Sequence, residues 1–247
     1  MTKQSGMGDR LFVAGYNLSG DIGSLGRIGG GPAALDVTGI DKEAFERIGG
    51  LRDGAIEYSA FFNPATDQAH ERLSALPTAD QVVTYCRGAA LGNAGAALVG
   101  KQINYDPSRG ADGSLTIAVQ ALANGYGLEW GRQLTAGIRT DTGATNGSSV
   151  DHGASTAHGL QAYLHVMAFT GTSAAVKVQE SSDNGGADSW ADVVGGGFTV
   201  ATGITSQRIA TAAGLTVERY LRVVTTGTFS NAQFAVLVCR NETAVSF

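Results

Sequence analysis

Leu160 to Phe169 reads LQAYLHVMAF. Leu160, Ala162, Leu164, Val166 and Ala168 fall on one side of an extended chain. Gln161, Tyr163, His165, Met167 and Phe169 fall on the other. A period of two over ten residues predicts a β-strand, because successive side chains of a strand point to opposite faces. AVKVQES follows, then the turn residues SDNGGADS, then short candidate strands at Trp190–Val194, Phe198–Ala201, Gln207–Ala210, Arg219–Val224 and Gln233–Cys239. Seven or eight short strands at even spacing predict an antiparallel sandwich over residues 160–247.

Upstream the composition changes. Thr135 to Gly159 reads TAGIRTDTGATNGSSVDHGASTAHG, poor in large apolar residues and rich in Gly, Ser, Thr and Asp. It reads as a linker over residues 136–159 that separates a first domain, residues 1–135, from the second, residues 160–247. In the first domain, strands are predicted at Arg10–Leu18, Gly54–Phe62, Asp80–Cys86, Ala97–Tyr105, Ser114–Leu122 and Gly125–Leu134. Two helices are predicted there. In Thr38–Ile48, Asp41 or Thr38 caps and Ile40, Ala44, Phe45 and Ile48 share a face. In Pro64–Leu76, Pro64 suits the first turn and Ala69, Leu73 and Leu76 form the stripe. The fold class is mainly β.

Composition bounds the function. The 247 residues carry 17 basic and 22 acidic side chains, a net charge of −5, and no basic block. The electrostatic footprint of a nucleic-acid reader is therefore missing, whereas a weakly acidic surface lets DNA pass without sticking. Only 16% of residues are charged and 36 are Gly, a turn-rich pattern. The polar start MTKQSGMGDR is no signal peptide, and no apolar run approaches the ~18–20 residues that cross a bilayer. A chain kept in the cytosol is the expectation, with no membrane partner. Cys86 and Cys239 make no disulfide framework and read as buried small hydrophobes.

Chemistry-bearing motifs are wanting. Gly26–Gly31 (GRIGGG) has neither the Lys-Ser/Thr ending of a phosphate loop nor the spacing of a dinucleotide fingerprint, and reads as a flexible loop with room for close packing. His70, His152, His158 and His165 match no metal-ligand spacing. Asp183, Asn184 and Asp188 lie in a loop too short for a calcium motif and read as a hairpin turn. No nucleophile elbow or Cys-His arrangement is present. No catalytic, metal or cofactor-binding residue is assigned, no cofactor is expected, and the chain is read as no enzyme.

Ala34 to Phe62 (ALDVTGIDKEAFERIGGLRDGAIEYSAFF) resembles the core of long-tailed phage major tail tube proteins, over roughly residues 10–135. Residues 148–240 resemble a sandwich domain often appended to such proteins, through Ser149-Val150-Asp151, GLQAYLHVMAF, VKVQESSDNGGADSWADV and Arg219-Tyr220-Leu221-Arg222-Val223. The resemblance implies a tail-tube-type β-sandwich with short flanking helices, followed by an Ig-like or galactose-binding-like sandwich. It implies a structural virion protein of a bacteriophage tail, assembled in the host cytoplasm. Copies would form hexameric rings whose sheets join into one barrel. The rings would stack into a tube through which DNA leaves without specific binding. Tape-measure and tail terminator proteins are the other partners implied. Met1–Asp9 and the Gly-rich Gly20–Gly31 are expected to be flexible and to order on a neighbouring ring. The alternatives are a capsid decoration or minor tail protein, or a carbohydrate-binding module in which Trp190, Tyr163 and Tyr220 form a stacking platform; a hydrolase with a dispersed site is a third.

Overall fold

The computed structural model describes residues 5–244. The chain is nearly all β. The first half holds β1 (Arg10–Val13), β2 (Tyr16–Asn17), β3 (Ile22–Asp36), β4 (Arg47–Phe61), helix α1 (Ala69–Leu73), β5 (Gln81–Cys86), β6 (Ala94–Gln102), β7 (Asp106–Arg109) and β8 (Leu115–Gln133). The second holds β9 (Arg139–Asp141), β10 (Thr145–Asn146), β11 (Val150–Asp151), β12 (Leu160–Ser181), β13 (Ala191–Gly197), β14 (Thr205–Ala210) and β15 (Tyr220–Arg240). One hydrogen-bonded path, β13-β12-β15-β8-β6-β5-β1-β2, runs through both halves, crossing between them where Leu237 pairs Gln133 and Val238 pairs Arg132.

The pleat explains why Asp80–Cys86 is apolar on both sides. Val83 and Tyr85 of β5, with Ala96 and Leu98 of β6, enter a first core beneath Ile56, Tyr58 and Ala60 of β4. The alternate residues Val82 and Ala97 turn the other way, onto Tyr163, Leu237 and Cys239 of the second half. Phe12 and Cys86 meet Ala235 on the same side. A sheet covered on both faces needs apolar residues on both. A further core, including Leu164, Val176, Val223, Phe234 and Val236, fills the second half.

Several elements depart from the sequence-based expectation. Thr38–Ile48 is not a helix. Residues 37–46 close a long hairpin between β3 and β4, and Ile48 belongs to β4. Thr38 Oγ1 donates to Asp36 Oδ1 (2.6 Å) and accepts from the Glu46 amide (2.9 Å), giving the backbone an alternative to a helical turn. No core receives the expected apolar face. Isolated short helices are marginal without such packing. Gly20–Gly31 is not a flexible loop but largely strand: Gly30 lies so close to β4 that a Cβ there would sit 2.2 Å from the Asp53 carbonyl. Of the second expected helix only Ala69–Leu73 is helical; Leu76 is left exposed with φ 41°. Arg10–Leu18 breaks into β1 and β2 around a two-residue turn, Ala14 and Gly15, both at positive φ as tight hairpins require. Residues 136–159 carry β9, β10 and β11, each laid along β15. Of Met1–Asp9, the first four residues lie outside the described ones. Asp9 is fixed by Tyr85 Oη (2.6 Å) and the Gly88 amide (3.0 Å). Among the described residues no helix is long and apolar enough to cross a membrane.

The junction between halves is partly polar. Gly15 donates its amide to His165 Nδ1 (3.1 Å), which leaves Nε2 to donate to Thr84 Oγ1 (2.9 Å). Burial holds the His165 imidazolium pKa down to about 3. The unfolded chain therefore protonates first. The stability His165 contributes is complete above about pH 6.5 and is lost as pH falls below that value. By pH 4.5 the loss from this group is expected to be about 2–3 kcal/mol. His152, held down to about 4 by burial and then by Arg240 and Arg132, acts in the same direction. Urea midpoints at pH 7 and 4.5 measure the effect, and His165→Gln is expected to flatten it; an unchanged pH slope in that variant would assign the acid sensitivity elsewhere.

Candidate assembly surfaces

Beside the junction, the chain builds a smaller sheet whose edges and outer face are uncovered. β4 pairs β8 from Ala55↔Leu122 to Phe61↔Thr116. β7 pairs the same end of β8 on its other side, from Asp106↔Ala118 to Arg109↔Leu115. With β3 outside β4, the local order is β3-β4-β8-β7. Among the described residues β3 pairs only β4, and β7 pairs only β8. The outer edges of both strands are open, and all four residues of β7 are exposed.

One face of this sheet carries Ile56, Tyr58, Ala60, Ile117, Val119 and Ala121 into the first core. The alternate residues form the other face. There Ser24, Gly26, Glu57, Ser59, Ala118 and Gln120 line a shallow groove of about 320 Å³. Gln120 Nε2 donates to Glu57 Oε1 (2.7 Å), and Asn104 Oδ1 accepts the Gln120 amide (2.7 Å). The groove holds one carboxylate and no basic side chain. Such a groove offers a phosphate no cationic partner.

Leu128 of β8 still covers Gly54, and beyond that contact the β3–β4 hairpin runs on without a third strand paired to it. Ile40 (110% exposed), Leu51 (89%) and Phe45 (69%) crown this arm, with Leu35, Val37 and Ile48 also exposed. At the opposite end of β4, Phe61, Phe62, Leu76 and Ile103 are exposed near α1. Phe62 there packs on the His70 ring (4.4 Å between centroids), and His70 Nδ1 lies 2.6 Å from Tyr105 Oη.

The structure separates the residues that the sequence singled out. His165 is buried at the junction, His70 belongs to α1, and His152 and His158 sit half-buried between β11 and β12. Among the described residues no group of three or more His, Cys, Asp or Glu side chains is placed to hold a metal ion. Asp183 does not face an open cation site: its carboxylate accepts the amides of Gly186, Ala187 and Asp188. Tyr163, Trp190 and Tyr220 form no open platform. Tyr163 is fully buried and donates to Glu129. The Arg222 guanidinium lies over Trp190 at 4.3 Å and that of Arg219 over Tyr220 at 4.9 Å. Cys86 and Cys239 are buried, and burial pushes the Cys86 thiol up to about 12.

The open edges and the Glu57–Gln120 face escape sequence reasoning. Their one local signal is the alternation of Gly54–Phe62, which puts Glu57 and Ser59 opposite Ile56, Tyr58 and Ala60.

No family model matches this chain, and no curated protein matches it. Among solved structures it is similar to a chain of the virion of a native gene transfer agent particle, at 15% identity and a TM-score of 0.42, over 52% of this chain and 98% of that one. A chain from the tail of an empty gene transfer agent particle, refined in C6 symmetry, is similar at 16% identity and 0.39, over 50% and 96%. The SPP1 Dit protein, described as a paradigm of the hub adsorption apparatus of phages infecting Gram-positive hosts, is similar at 11% identity and 0.32, over 93% and 98%.

Proposed function

We propose that this chain is a structural subunit of a phage tail, and specifically the major tail tube protein, whose copies close into hexameric rings and stack into the conduit for DNA. The observation that carries this reading is the β3-β4-β8-β7 sheet, open at both edges and bare on one face. A 15-residue strand with an unpaired edge is a pairing site for another chain. Here a second open edge, that of the four-residue β7, lies on the opposite side of the same sheet from β3. Joining β3 of one copy to β7 of the next is a head-to-tail contact, which closes into a ring when the rotation allows. Closure removes both edges at once. The bare face then lines the ring interior, and its carboxylates, Glu57 and Asp106, with small polar side chains suit passage of a polyanion without binding. The resemblance of Ala34–Phe62 to tail tube proteins supports the same assignment, and supports tape-measure and terminator proteins as the axial partners. The work is mechanical, with no bond made or broken.

Negative-stain electron microscopy of the purified protein over a concentration series tests this. Rings or tubes with a central channel are expected. Ser59→Lys and Gln120→Lys would place cations on the channel wall, and such rings are expected to retain DNA at low salt where wild-type rings do not. Particles of uniform monomer size at every concentration would count against the assignment.

A further inference from the structure

We propose that the groove between β1 and the outer edge of β3 is a socket for β7 of a second copy of this chain, entered by Pro107 and Arg109. The proposal rests on the tail-tube reading and adds the side chains that select the neighbour within a ring.

Strand order places the socket. The sheet runs β3-β4-β8-β6-β5-β1-β2 around the first core and does not close, for among the described residues β3 pairs neither β1 nor β2. A groove of about 370 Å³ occupies that seam. Leu11 of β1 with Ile22 and Leu25 of β3 bring apolar surface to it, and Gly6 and Asp9 belong to its polar part. Ile22 and Leu25 pack on the first core but are only partly buried, so the seam leaves core surface uncovered. Asp9 is the carboxylate of the groove. It accepts the Tyr85 hydroxyl, the Gly88 amide and the Arg87 guanidinium. A carboxylate has about four acceptor positions, so one is left. Arg10 also lines the groove, but its side chain alternates with Leu11 and turns to the other face. There its Nε lies 3.3 Å from where a Cβ on Gly137 would sit.

The occupant is argued from β7. Backbone bonds alone tie this strand weakly to a neighbour, because it has four residues and Pro107 has no N–H to give. Its side chains supply the rest. Pro107 lies opposite Ile117 and Arg109 opposite Leu115, so both point to the core side of their sheet. Asp106 and Ser108 point to the bare face. When β7 extends the β3 edge of the next copy, the joined sheet has one core side throughout. Pro107 and Arg109 then stand on the side of Ile22 and Leu25, over the groove. Pro107 covers the apolar part. Arg109 is exposed, and among the described residues its guanidinium has no hydrogen bond or ion pair. Its donors meet the open acceptor position of Asp9 and the unpaired carbonyls of the β3 edge.

Cross-linking tests the fit. Cys86 and Cys239 are each only 3% exposed and do not compete for reagent. Within one copy β3 and β7 are three strand spacings apart, ~14 Å, and Gly6 lies beyond β3. A bis-maleimide shorter than that span therefore joins Gly6→Cys to Pro107→Cys only between copies. Under conditions that give rings, the double variant is expected to yield covalent oligomers up to the ring size and no larger. Neither single variant is expected to yield any. Dimers from Pro107→Cys alone would mean β7-to-β7 contact and would overturn the proposal. Rings of the double variant that give no covalent oligomer would overturn it too, as would oligomers that run past the ring size. Arg109→Glu, at an exposed position, is expected to keep the wild-type urea midpoint and to raise the concentration needed for rings at least about tenfold. Arg109→Lys, which keeps the charge, is expected to recover part of that loss. Rings of Arg109→Glu at unchanged concentration would overturn the proposal while leaving the tail-tube reading in place. Failure of wild-type protein to form rings would remove both.

Discussion

Replacing Arg208 with alanine is expected to cost about 3–5 kcal/mol of unfolding free energy. The Arg208 side chain is 8% exposed and that of Glu129 4%, and the two are joined at 2.8 Å and 3.1 Å. Glu129 comes from β8 in the first half and Arg208 from β14 in the second. Tyr163 donates its hydroxyl to the same carboxylate, and burial followed by the nearby Glu129 charge holds that phenol protonated far above its usual range. Removing the guanidinium leaves a buried carboxylate with one neutral donor. The penalty is that of the stranded charge and exceeds the net worth of the pair. Two further variants separate these quantities. Glu129→Gln/Arg208→Met removes both charges and keeps an acceptor for Tyr163, so it is expected to be more stable than Arg208→Ala alone. Lys177→Ala breaks the Lys177–Asp192 pair, whose side chains are 42% and 46% exposed, and is expected to cost less than about 1 kcal/mol. Urea denaturation measures all three, and an Arg208→Ala cost as small as that of Lys177→Ala would show that water reaches Glu129.

That ion pair illustrates where sequence reasoning ends. The alternation of Leu160–Phe169 is a local property, and it predicts β12 directly. β5 and β6 are legible as short apolar runs, apolar on both sides because both of their faces are covered. Thr38–Ile48 misleads for a physical reason. Ile40, Ala44, Phe45 and Ile48 have helical spacing, but they face solvent on an arm where no internal core selects that spacing. The Gly-rich run of β3 misleads similarly: glycine there permits backbone contact with Asp53, an interaction visible only once β3 and β4 are in register. Glu129 and Arg208 are 79 positions apart, and nothing local in either segment marks the partner. The open edges of β3 and β7 are properties of topology. Residues 136–159 resemble a linker in composition because they are poor in large apolar residues, yet β15 supplies the backbone partners that hold their three short strands. Arg139 supplies another tie, donating to Asp141 (2.7 and 2.8 Å) and to the Val223 carbonyl (2.9 Å).

Ending the chain at Gly159 is expected to abolish folding of the remaining half, although composition alone suggests that residues 160–247 are dispensable. Such a truncation removes β12, β13, β14 and β15. Phe12 is fully buried in the intact chain, and Val82 and Cys86 nearly so, and all three would face water without Tyr163, Ala235, Leu237 and Cys239 above them. Losing the burial of Phe12 and Val82 costs about 1.5–3 kcal/mol each. Glu129 loses Arg208, Thr84 loses His165, and β8 loses its pairing with Leu237 and Val238. These losses fall on a unit whose whole stability is expected to be about 5–15 kcal/mol. They also expose a paired, apolar sheet face of the kind that aggregates. The fragment 1–159 is therefore expected to be insoluble or molten, and the full chain to unfold in one cooperative transition with coincident fluorescence and circular dichroism midpoints. A soluble fragment that keeps a sharp transition and still forms rings would show instead that the β3-β4-β8-β7 sheet and its own core suffice, and that the second half is an accessory laid over a face that tolerates water.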